Sequence, residues 1–125
     1  MTAITALLRA DTFTAQIYIG GSLEQAKQVC REYCAEVGFC VTVEPVSFIY
    51  TGGEEVGVRV GMINYPRFPR TPHEIMGHAE TLAERLRVRL CQGSFSIVTP
   101  TETLFKSWRK KDEMPPMPDL LAEAR

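Results

Sequence analysis

The 125-residue chain contains no apolar run near the roughly 20 residues that a membrane-spanning helix requires, so no membrane segment is expected. It also lacks an excess of positive charge. Fourteen Lys and Arg stand against fifteen Asp and Glu, a formal net charge of −1, which excludes a surface built to hold DNA or RNA. A local anion site remains compatible with that balance. The opening residues lack the basic stretch of a secretory leader, because Arg9 follows the short apolar segment rather than preceding it. Cysteine is scarce. Cys30 and Cys34, four apart on a predicted helix, could form half of a metal site, but Cys40 and Cys91 fall at no zinc-ribbon spacing, and a chain of this length builds a core without disulfide staples. Structural thiols, no metal, no cofactor and a reducing cytoplasm are the expectation. Hydrophobic residues at 45% exclude disorder as the main state, and the length suits a single domain.

Catalytic motifs are missing as well. His73-Glu74-Ile75-Met76-Gly77-His78 looks like a zinc-protease signature, but its histidines are five apart, about 140° around a helix instead of on one face. No Gly-x-Ser-x-Gly elbow, phosphate-binding Gly-rich loop or dinucleotide fingerprint is present, and no cysteine has a histidine as its sequence-level partner. Glu54 and Glu55 are adjacent acids, and on a strand they point to opposite faces. They read best as solvated residues of a hairpin tip.

The pattern that is present alternates between the periods of strand and helix. Phe13, Ala15, Ile17 and Ile19 alternate with polar residues, predicting a strand. Ser22 with Gln25 opens a helix as a capping box, its apolar positions run from Leu23 to Val37, and Gly38 ends it. Residues 39–51 read as a strand interrupted by Pro45, which belongs at a bulge or an edge. Thr51-Gly52-Gly53-Glu54 makes a turn into the alternating Val56, Val58, Val60 and Met62. Gly57 and Gly61 leave the opposite face of that strand bare. Thr71, Pro72 and Glu74 start a second helix, with Gly93 as its expected end. A last strand spans residues 94–99, resuming at residues 103–108. The order β-α-β-β-α-β predicts an α+β, ferredoxin-like fold: a four-stranded antiparallel sheet with two helices on one face. The domain is expected to span residues 1–108, with a C-terminal tail at 109–125. The sheet's other face suits self-association, there or through an edge.

The segment Asn64-Tyr65-Pro66-Arg67-Phe68-Pro69-Arg70 breaks all periodicity. An Asn amide offers the donor and acceptor that match an adenine edge, Tyr65 or Phe68 can stack on a base, and Arg67 and Arg70 can fork onto phosphate oxygens. Thr99 and Thr101, in the loop after the last core strand, offer hydroxyls for ribose or phosphate, and Arg109 belongs to a basic run around Trp108. These eight residues are the candidate ligand site. The alternatives are a module that caps a host protein, and an enzyme using Glu54 or Glu55 as acid or base.

The segments Tyr50-Thr51-Gly52-Gly53-Glu54-Glu55, Ile63-Asn64-Tyr65-Pro66-Arg67-Phe68-Pro69 and Ser96-Ile97-Val98-Thr99-Pro100-Thr101 resemble those of small phage proteins. In layout, residues 13–105 are similar to phage Thoeris anti-defence proteins of the first type, the cyclic ADP-ribose sponges. That resemblance implies a protein that is not an enzyme. It would sequester a small cyclic nucleotide signal, an isomer of cyclic ADP-ribose and in some members cyclic oligonucleotides, as a dimer or hexamer in the host bacterial cytoplasm. The candidate residues rest on their chemistry and not on an aligned motif.

Overall fold

Ala15, Ile17 and Ile19 are buried along the first strand, β1 (Thr14–Gly20), in a computed structural model that describes residues 2–113. Their alternation with half-buried neighbours divides the whole fold into a helix-covered face and an open face. The elements β2 (Thr42–Tyr50), β3 (Gly53–Ile63), β4 (Ser94–Val98) and β5 (Thr103–Ser107) join β1 in one sheet. Its order is β2-β3-β1-β4-β5, antiparallel throughout. Two helices, α1 (Leu23–Val37) and α2 (Pro72–Arg89), cover one face. The ferredoxin-like arrangement is therefore present, but with five strands instead of four. The extra strand arises because the chain reverses after β4: Thr99 N–H donates to Glu102 O at 2.9 Å, and β5 folds back as a hairpin edge.

The core lies between the sheet and the helices. Val58, Val60 and Met62 of β3 and Phe95 and Ile97 of β4 meet Ile75, Ala79, Leu82 and Leu86 of α2. Ala26, Val29, Cys30 and Tyr33 close it from α1. Burying each large side chain stabilises the fold by about 1.5–3 kcal/mol. Both helix starts follow the sequence: Ser22 and Thr71 accept from the backbone N–H groups of Gln25 and Glu74, and Pro72 occupies the first turn. Gly38 ends α1 in the left-handed region at φ 69°. The end of α2 differs from expectation. The helix stops at Arg89, and Cys91, not a glycine, takes the left-handed conformation at φ 55°.

Pro45 sits on the edge strand β2, where its missing N–H breaks no inner ladder. On the open face, a Cβ at Gly57 would lie 2.5 Å from Ile19 O and 2.3 Å from the Phe48 ring, so the ring fills the bare position. One polar row crosses this face: Glu44, Arg59, Tyr18 and Ser96 are successive cross-strand partners, followed by Phe105. Residues 109–113 of the expected tail pack at the start of β4, where Arg109 Nη2 donates to Ser94 Oγ at 2.7 Å. The helical reading of residues 119–125 lies outside the described residues. No helix of the described residues is long and apolar enough to cross a membrane.

Candidate functional site

Beyond β3 the chain makes a tight turn in which Phe68 N–H donates to Tyr65 O at 2.9 Å, with Pro66 inside it. The turn carries Tyr65 and Phe68 into a cleft of about 390 Å³ whose other walls are Cys34, Gly38, Phe39, Cys40, Ile63 and Arg70. Pockets for small organic ligands begin at about this size. A neighbouring apolar hollow of about 440 Å³ shares Cys40, Tyr65 and Phe68 and is completed by Ala6, Leu8, Pro66 and Arg67. Three of the predicted residues thus meet in one cleft and a fourth, Arg67, lines the hollow beside it. Its guanidinium sits 5.4 Å from the Phe68 ring centre.

Asn64 does something else. Its Nδ2 donates to Asp11 O and its Oδ1 accepts from the Arg70 backbone N–H, both at 2.9 Å. The amide ties the entry of β1 to the end of the loop, and both of its functions are occupied. Thr99 is likewise engaged, since its hydroxyl donates to Glu102 O at 3.0 Å and accepts from Glu102 N–H at 3.2 Å. Thr99 and exposed Thr101 lie at the same end of the sheet as the cleft but beyond β1, and Arg109 lies at the opposite end. Arg109 donates to Asp112 and Ser94, and Lys106 pairs with Glu84.

Behind the cleft lies an array that the sequence did not disclose. Arg70 Nη2 donates to Gly38 O at 2.9 Å, and Nη1 lies 3.4 Å from His78 Nε2. A guanidinium only donates, so Nε2 accepts, and the ring proton resides on Nδ1, 2.6 Å from Tyr33 Oη. Phe39 stacks on the His78 ring with centroids 4.3 Å apart, and Arg70 also lies over Phe39 at 5.0 Å. Burial first and Arg70 second hold the His78 imidazole below its ordinary pKa of 6.5. The only sequence signal was position: His78 follows Ile75 by three residues, on the flank of the buried stripe of α2.

Cys40 Sγ–H donates to Tyr65 Oη at 3.5 Å. Burial and the neighbouring Cys34 push the Cys30 thiol up to about 12, which leaves it uncharged and inert. All four cysteines are free, and among the described residues no group of three or more His, Cys, Asp or Glu could hold a metal. A larger depression of about 680 Å³ between α1 and α2 has its cations already paired, Arg85 with Glu36, Arg89 with Glu32 and Lys106 with Glu84.

The architecture, a ferredoxin-like sheet with one open face, is shared with solved phage proteins. A phage SAM lyase in complex with S-methyl-5'-thioadenosine superposes with a TM-score of 0.64 at 15% identity, over 84% of this chain and 96% of the lyase. The same lyase in its apo state matches with a TM-score of 0.60 at 15% identity, over 82% and 96%. No family model matches the chain, and no curated protein matches its sequence. The phage protein matched is thus a SAM lyase and not a cyclic ADP-ribose sponge. The expectation that the chain is not an enzyme is contradicted by these matches, because the phage SAM lyase that shares its architecture is an enzyme. That expectation came from the resemblance to the sponges, with which the missing nucleophile and metal motifs agreed, and lyase chemistry need not use such motifs.

Proposed function

We propose that this chain is a phage anti-defence protein that binds a small adenine-containing molecule in the Tyr65–Phe68 cleft and cleaves it as a lyase-type enzyme. The observation that carries the reading is the agreement of fold with a phage SAM lyase that was solved with an adenine nucleoside bound. The cleft supports it. Two aromatic side chains on a proline-stiffened turn suit a purine, each stack contributing roughly 1–3 kcal/mol. A sulfonium leaves as a neutral thioether, so its departure needs no general acid. The enzyme's task reduces to orienting the substrate and excluding water. A cleft holding Tyr65, Phe68 and Arg70 without a nucleophile–base pair is consistent with that task.

Arg67 and Arg70 beside the aromatics favour a second ligand. Guanidinium groups suit phosphate better than a sulfonium cation, so the alternative ligand is a phosphate-bearing adenine nucleotide such as the cyclic ADP-ribose isomer that the sequence resemblance implies. In either case the host effector loses its signal or its methyl donor. Self-association, as a dimer or hexamer, would use the open sheet face and the β2–β3 hairpin tip, where Ile49 and Val56 are 78% and 69% exposed.

Incubating the purified protein with S-adenosylmethionine or cyclic ADP-ribose and following the mixture by mass spectrometry tests the reading. Conversion of one of them, weakened by Tyr65→Ala with about 5–100-fold poorer ligand affinity, is the expected result. Neither conversion nor binding of any adenine compound would sink it.

A further inference from the structure

We propose that Arg70 and His78 form a two-cation subsite at the back of the cleft, so that an anionic ligand group binds there together with one proton taken up by His78. This rests on the reading of the cleft as the ligand site. Arg70 lines the cleft, and two of its amino groups are directed at Gly38 O and His78 Nε2. A guanidinium carries five N–H donors, so a fork remains for a carboxylate or phosphate.

Without a ligand the geometry holds His78 neutral. Its Nε2 faces a permanent cation at 3.4 Å, Phe39 covers its ring, and Tyr33 Oη lies against Nδ1. Glu74, one turn earlier on α2, is the acid that favours the charged ring. Arg85, paired with Glu36, lies over the Tyr33 ring at 5.0 Å. Cys34 stands by Tyr33 as an uncharged thiol, its pKa raised chiefly by burial. Protonation would place two cations 3.4 Å apart with no counter-ion between them. An anion that accepts from Arg70 and, in place of the Nη1–Nε2 bond, from the protonated Nε2 removes that obstacle. It neutralises the guanidinium, and the imidazolium then adds a second attraction. Ligand charge and proton occupancy are linked, and each strengthens the other.

Calorimetry on the full chain, with matched probes in buffers of different ionisation heat, tests this. S-adenosylhomocysteine presents a carboxylate, beside an α-ammonium, and no cleavable sulfonium, and S-methyl-5'-thioadenosine is its counterpart without either charged group. 5'-AMP and adenosine form the same pair for phosphate. At a pH between the His78 pKa of the free protein and the higher one of the bound state, binding of a probe carrying the anionic group should take up close to one proton, and its affinity should improve by up to about tenfold per pH unit as pH falls across that interval. The neutral partners should show neither effect, and whichever acid shows it identifies the anion. His78→Gln should flatten the pH profile of the anionic probe. The wild-type His78 ring, followed by NMR, should titrate at higher pH in the anion-bound state, a readout that needs no variant. Neutral probes that bind while the anionic ones show no proton uptake would overturn the subsite and leave the cleft standing. Failure of all four probes to bind would overturn both.

Discussion

Replacing Asn64 by alanine separates a structural clasp from a ligand reader. The side chain makes two hydrogen bonds of 2.9 Å, one to Asp11 O and one from Arg70 N–H, which join segments 53 and 6 residues away. Each contributes about 0.5–1.5 kcal/mol, so their joint loss amounts to roughly 1–3 kcal/mol. For a domain of this size that lowers Tm by roughly 5–15 °C. Differential scanning calorimetry of Asn64→Ala beside Arg67→Ala makes the comparison. Arg67 is exposed and its contact within the loop is the one over the Phe68 ring, so its loss should shift stability by about 0.5 kcal/mol or less. A Tm for Asn64→Ala within about 1 °C of wild type, combined with lost ligand binding, would refute the clasp and return Asn64 to the role of adenine reader.

Other consequences follow from the same contacts. Gly57→Ala should destabilise the fold by about 1–3 kcal/mol or more in urea unfolding, because the new Cβ meets the Ile19 carbonyl 2.5 Å away; an unchanged midpoint would contradict that packing. His78 has a lowered folded-state pKa, so below about pH 6.5 the unfolded chain holds more protons and stability is lost as pH falls toward the folded value. Urea midpoints between about pH 7.5 and 5.5 should show this fall, and the same slope in His78→Gln would assign it elsewhere. Alkylation followed by peptide mass spectrometry at mildly alkaline pH should label exposed Cys40 and Cys91 first and buried Cys30 last.

Element order was legible because its signals are local. Ser22 and Gln25, Thr71 and Pro72, and Gly38 are read within one helical turn, and all three ends stand as expected. The strands of β2 and β3 announced themselves by alternation and by the Gly52-Gly53 turn. The fifth strand was half visible: residues 103–108 looked extended, but only the Thr99–Glu102 bonds show that the chain doubles back. The end of α2 was misplaced because Gly93 is the habitual stop, whereas Cys91 accepts the left-handed conformation here. The site was legible in part. The rigid aromatic turn could be read from its two prolines, but the occupants of the Asn64 amide are an Asp11 carbonyl and an Arg70 amide that sequence cannot place. His78 was judged by its spacing to His73, when what matters is its approach to Tyr33 on the other helix, 45 residues earlier.

The longest strand sets two regions far apart. β3 has eleven residues, about 35 Å of extended chain, and joins the hairpin tip at one end to the cleft at the other. Substitutions at sites so separated, with no shared neighbours, act additively. Ile49 or Val56 can therefore change under selection from whatever surface they meet without a toll on the cleft. Tyr65 and Arg70 can follow a changing ligand while the far end holds still. Such a molecule can evolve as two nearly independent traits carried on one sheet.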